Sequence, residues 1–155
     1  VDLSRDHLRL VCIPEDALRD LDELDSSPKY QVWASTVWQG LCALHEYAEV
    51  KANGSRPAGF LLWCQETGAW QSNKLAMTES ETVTSNATLR DRRRFPVHDE
   101  VDRSGRLHRV RRPEDPGRRG RNIPRVYFLD DTDGATGKMH VGFIGPHRYV
   151  RNTKS

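Results

Sequence analysis

Several things are scarce in this 155-residue chain, and each scarcity removes a class of protein. No apolar run approaches the roughly 18 residues that a membrane-spanning helix needs, so no membrane partner is expected. The apolar centre of a secretory leader is not visible either. Cysteine is sparse and odd in number, and Cys12, Cys42 and Cys64 show no CxxC spacing. A disulfide framework is therefore not expected, and a reduced, cytoplasmic compartment is. The six histidines form no HExxH or HxH and join no Cys/His ligand set, so neither a metal site nor a cofactor is expected. GxSxG, P-loop and GxGxxG motifs are absent. Lysine is also scarce, with 5 Lys against 19 Arg.

What is present is enough for one modest core. The apolar fraction is 36% and the charged fraction 30%, with four Trp, four Tyr and four Phe to anchor a core that a disordered chain would lack. Charge is unevenly placed. Residues 1–80 carry a net −5 and residues 81–155 a net +7. Between Arg90 and Arg125 there are 13 Arg, no Lys and 6 acids. A guanidinium fork holds phosphate in two-point contacts where an ammonium offers a point charge. A general preference for Arg over Lys across the chain explains the same bias without any ligand.

The pattern of elements predicts α+β. His7–Ile13 alternates as a short strand. Pro14, followed by Glu15 and Asp16, opens a helix whose Ala17, Leu18, Leu21 and Leu24 share a face. The strongest element is Pro28–Ala52, with Trp33, Val37, Leu41, Leu44 and Ala48 in one stripe, widened by Tyr30, Ala34, Trp38 and Cys42, and with Asn53-Gly54 as its stop. "GFLLWC" at Gly59–Cys64 fits a buried strand, and periodicity leaves a helix open. Met77–Arg94 reads as one or two short helices. Val97–Pro124 is a long Arg-rich loop with a short strand at Leu107–Val110. "RVYFL" and "KMHVGFI" are strands joined through Asp133-Gly134. The expected architecture is one domain, 1–155, with N-terminal helices packed on a small antiparallel sheet. The expected core joins Trp33, Val37, Leu41, Leu44, Phe60, Leu62, Val126, Phe128, Val141 and Phe143.

The chain ends "GFIGPHRYVRNTKS". Strand alternation puts Met139, Val141 and Phe143 on a face toward the long helix, and His140, Gly142 and Ile144 on the other, with His140 toward solvent or a groove. Gly145-Pro146 is expected to break the strand and aim His147 and its successors at one corner. The catalytic candidates are His140 and His147 as acid or base, and Arg148 and Arg151 as stabilisers of developing charge. The nucleic-acid candidates are Arg90, Arg92, Arg93, Arg94, Arg109, Arg111, Arg112 and Arg125 as phosphate holders, with Lys154, and Tyr149 to stack a base. An exposed edge strand with a charged tail accounts for the same residues. "DDTDG" resembles the start of a calcium loop but lacks its later ligands, and a polar hairpin loop explains it better.

The last third, "RVYFLDD…KMHVGFIGPHRYVRNTKS", resembles the end of RelE/HigB-type messenger-RNA interferase toxins, in pattern rather than in a specific motif. About 30 residues carry the likeness. It implies N-terminal helices on a small antiparallel sheet and metal-independent cleavage of ribosome-bound RNA. The roles it implies fall on His140, His147, Arg148, Arg151 and Lys154, with Arg125 holding phosphate. This chain departs from that family in its greater length, its acidic first half and its Arg-rich loop. The expectation is thus a domain that binds nucleic acid, RNA rather than DNA, with endoribonuclease activity open. The alternatives are a protein-interaction module without chemistry, and a small-molecule enzyme using His140 and His147.

Overall fold

A computed structural model describes residues 7–19, 21, 30–71, 75–76, 108–111 and 124–146. The elements in chain order are β1 (Val11–Cys12), a 3₁₀ turn (Glu15–Leu18), α1 (Tyr30–Ala52), α2 (Phe60–Thr67), β2 (Leu75–Ala76), β3 (His108–Arg111), β4 (Pro124–Asp131) and β5 (Lys138–Pro146). The fold is α+β, with the helices early and most of the sheet late. The sheet order is β1-β5-β4-β3-β2. Every pairing is antiparallel except β1 with β5, which is parallel, so the sheet is mixed rather than purely antiparallel.

The long helix lies where its periodicity puts it, and Gly54 stops it at φ 96° with its N–H on the Lys51 carbonyl. Its buried stripe contains the expected Trp33, Leu41, Leu44 and Ala48, with Val37 partly buried against the core. It widens toward Gly40, Ala43, Tyr47 and Lys51 rather than toward Tyr30, Ala34 and Trp38, which are exposed. Gly40 is required because the Trp70 ring occupies the place of its missing Cβ, 2.2 Å from the ideal position. The helix expected after Pro14 closes only as a 3₁₀ turn around the fully buried Ala17.

"GFLLWC" resolves to a helix. Phe60, Trp63 and Cys64, spaced i, i+3 and i+4, are buried, and Leu62 is 48% exposed, so Leu62 leaves the expected core. Gly68 ends α2 in the left-handed region at φ 69°, with its N–H on the Cys64 carbonyl. Edge-to-face contacts of Tyr47 with Phe60 (5.4 Å) and of Phe60 with Phe128 (5.4 Å) lock α1, α2 and β4 together.

The expected hairpin is present, and a bulge corrects its faces. Tyr127 pairs with Phe143 but Phe128 pairs with Val141, so Gly142 is the extra residue. Alternation pauses there. Met139, Val141 and Ile144 join the helix-facing core, and Phe143 crosses to the other face beside Tyr127. Gly145 and Pro146 do not break the strand early, since both pair within the ladder, with Arg125 and Pro124. The Phe143 ring lies where a Cβ on Gly145 would be, 2.6 Å away, which is why glycine stands there. The short strand expected at Leu107–Val110 is β3. The expected helices at Met77–Arg94, the rest of the Arg-rich loop, and the expected start of the long helix at Pro28 lie outside the described residues. Among the described residues no helix is long and apolar enough to cross a membrane.

Candidate functional site

The strongest polar constellation gathers on the β4–β5 hairpin. Successive strand residues point to opposite faces, so the neighbours Asp130 and Asp131 serve different sides. Asp130 belongs to the face of Val126 and Phe128, toward α1, and accepts a hydrogen bond from the Tyr47 hydroxyl. It also accepts from the Thr132 N–H at 3.0 Å and from the Thr132 hydroxyl. Burial, and next the Asp130 charge, push the Tyr47 hydroxyl well above its ordinary range. Tyr47 is therefore a fixed donor and not an acid for catalysis. One turn further along α1, Lys51 is buried and pairs with Asp133, and its ammonium stands 5.5 Å from the Tyr47 ring centroid.

Asp131 serves the other face. Its Oδ2 accepts from the Thr136 N–H at 3.0 Å and from the Thr136 hydroxyl, and the same hydroxyl oxygen lies 2.7 Å from His140 Nε2. His140 is only 4% exposed, so it turns toward neither open solvent nor an open groove as the alternation suggested. Arg125 and Tyr127, further along this face, are buried at 1% and 0%. Tyr127 and Phe143 meet edge to face at 6.1 Å.

The predicted site residues divide three ways. His140 and Arg125 are on one sheet face, His140 opposite Leu129 and Arg125 opposite Gly145. Arg109 and Arg111 lie in β3, in register with Tyr127 and Arg125. His147, Arg148, Tyr149, Arg151, Lys154, Arg90, Arg92, Arg93, Arg94 and Arg112 fall outside the described residues. Sequence reasoning missed Tyr47, Lys51, Asp131 and Thr136. The one usable signal was the parity of β4, which separates Asp131 from Asp130. The loop closure that returns Thr136 to Asp131 has no signature of its own.

Burial also raises the Cys42 thiol, and the Cys64 thiol to about 11, so neither is an activated nucleophile. Among the described residues no group of three or more His, Cys, Asp or Glu is placed to hold a metal ion. Comparison with protein-family models, curated proteins and solved structures finds no match.

Proposed function

We propose that this is a cytoplasmic nucleic-acid-binding domain, for RNA rather than DNA, that engages phosphates through the Arg90–Arg125 stretch and the basic C-terminal cluster. The observation that carries the reading is the run of 13 Arg without a Lys. The pairing of β3 with β4 supports it, because it brings Arg109 and Arg111 of that run onto the sheet, whereas Arg125, at 1% exposure, is itself too buried to hold phosphate directly. Metal-independent RNA cleavage of toxin type is the activity that the resemblance implies for this site. His147 is then the proton carrier, and Arg148 or Arg151 the stabiliser of developing charge.

Retention on RNA across a salt series tests binding. The affinity should fall steeply with salt, and replacing Arg92, Arg93 and Arg94 by Ala should flatten the slope by up to ~0.7 per lost single-strand phosphate contact. No retention at low salt ends this reading. Cleavage of a mixed RNA pool, with and without ribosomes, tests the chemistry, with activity expected from the wild type and lost in His147→Ala.

One observation favours a second reading, a protein-interaction module. Residues 30–44 hold no charged side chain, and Tyr30, Val32 and Trp38 stand exposed on α1. Large aromatic residues on an uncharged face are typical interface anchors. In that case nucleic acid is not retained at low salt, and Trp38→Ala weakens binding of the protein partner.

A further inference from the structure

The hairpin network has a directional consequence. A carboxylate only accepts hydrogen bonds, and a threonine hydroxyl has one proton to give. Thr136 gives that proton to Asp131 Oδ2. Its oxygen, 2.7 Å from His140 Nε2, is then left to accept, so Nε2 must carry a proton. In the neutral ring the lone pair therefore resides on Nδ1.

Each member of the chain is held by the fold. Asp131 and His140 lie on the same face because of strand parity and register. The Thr136 N–H donates to the same carboxylate oxygen, which fixes the hydroxyl beside it. The turn closes with the Gly134 N–H on the Asp131 carbonyl at 2.9 Å. Position 134 must be glycine for the carboxylate to sit as it does, since a Cβ there would fall 1.8 Å from Asp131 Oδ1. His140 is too buried to meet a substrate directly.

We propose that Asp131–Thr136–His140 is a relay that sets the imidazole tautomer. It keeps the proton on Nε2 and the lone pair on Nδ1 of a buried histidine on the sheet face that also carries Arg125, so His140 is a positioning residue of the RNA site and not its proton carrier. The positioning role rests on the RNA reading, whereas the tautomer does not.

Ring-nitrogen NMR of ¹⁵N-labelled protein reads the tautomer in the wild type itself. The expected spectrum shows a protonated-type Nε2 and an unprotonated-type Nδ1, kept in Thr136→Ser and lost in Thr136→Val and Gly134→Ala. An unprotonated Nε2 in the wild type, or a Thr136→Val spectrum identical to wild type, overturns the relay. Cleavage of the mixed RNA pool then separates the roles. A glutamine amide can still donate to Thr136 from near the place of Nε2. Because a general acid or base is worth about 10²–10⁴-fold, His140→Gln should lose far less than that, while His147→Ala loses all of it. Loss in His140→Gln equal to that in His147→Ala makes His140 the proton carrier and ends the positioning role. If the wild type neither binds nor cleaves RNA, the functional reading fails and takes the positioning role with it, while the ring nitrogens still decide the tautomer.

Discussion

Lys51, in the last turn of α1, reaches Asp133 at the tip of the β4–β5 hairpin, Nζ to Oδ2 2.5 Å, across 82 positions of sequence. The two ends of this pair differ. The Lys51 side chain is 6% exposed and that of Asp133 76%. The ammonium is inside and its partner is in water.

That asymmetry predicts a pH dependence. The Asp133 carboxyl is held below its ordinary 3.8, first by the hydrogen bond from Lys51. A depressed folded-state pKa contributes stability above the unfolded value, and this is lost as pH falls through the folded value. The stability difference between wild type and Asp133→Asn should be constant above pH ~5 and shrink below pH ~4. Its size should exceed the ~0.2–1 kcal/mol of exposed pairs yet fall short of the ~3–5 kcal/mol of a fully buried pair, and salt should reduce it. Denaturant melts at several pH values measure it, and a difference that grows toward acid refutes it.

Two leucines distinguish a helix from a strand at "GFLLWC". Leu44 in α1 is fully buried, and Leu62 in α2 is 48% exposed. Leu44→Ala should cost about 2–5 kcal/mol, and Leu62→Ala about half a kcal/mol or less. A large loss at Leu62 would restore the strand reading, in which Phe60 and Leu62 share a buried face.

How far the fold was legible follows from cases like this one. The α1 helix was readable because 23 residues of periodic apolar spacing overdetermine a helix. The six residues of "GFLLWC" fit two periods equally, and only the neighbours Tyr47 and Phe128, distant in sequence, decide between them. Phe143 was assigned to the wrong face because a bulge at Gly142 leaves no mark on simple alternation. In the site, His140 stood out by residue type. Asp131 and Thr136 did not, since their roles depend on a six-residue loop folding back on itself.

Gly40 offers a test of close packing against helix propensity. Alanine gains up to ~1 kcal/mol over glycine in a helix interior. At Gly40 the new Cβ would stand 2.2–2.7 Å from three atoms of the Trp70 ring, which is itself buried. Overpacking of this kind costs about 1–3 kcal/mol, so Gly40→Ala should destabilise the domain despite its better propensity. Thermal melts with near-ultraviolet circular dichroism check both the loss and the displaced indole. A raised Tm would show that Trp70 moves freely and that its contact with α1 is not tight.

Cys64 provides a reactivity test that bears on the chemistry of the domain. Its side chain is 1% exposed, and burial raises its thiol to about 11. At pH 8 only about one molecule in a thousand then carries the thiolate, the reactive form. Access is blocked as well, because Cys64 is packed among Leu44, Trp63 and the rest of the core. Under native conditions a thiol reagent should therefore leave Cys64 unmodified while the half-buried Cys12 and Cys42 react first. Modification of Cys64 should appear only with unfolding, and its rate should follow the unfolded population through a denaturant series. Peptide mass mapping after timed alkylation assigns each site. Rapid native labelling of Cys64 would mean that α2 opens locally far more often than the rest of the core, and would return a cysteine nucleophile to consideration.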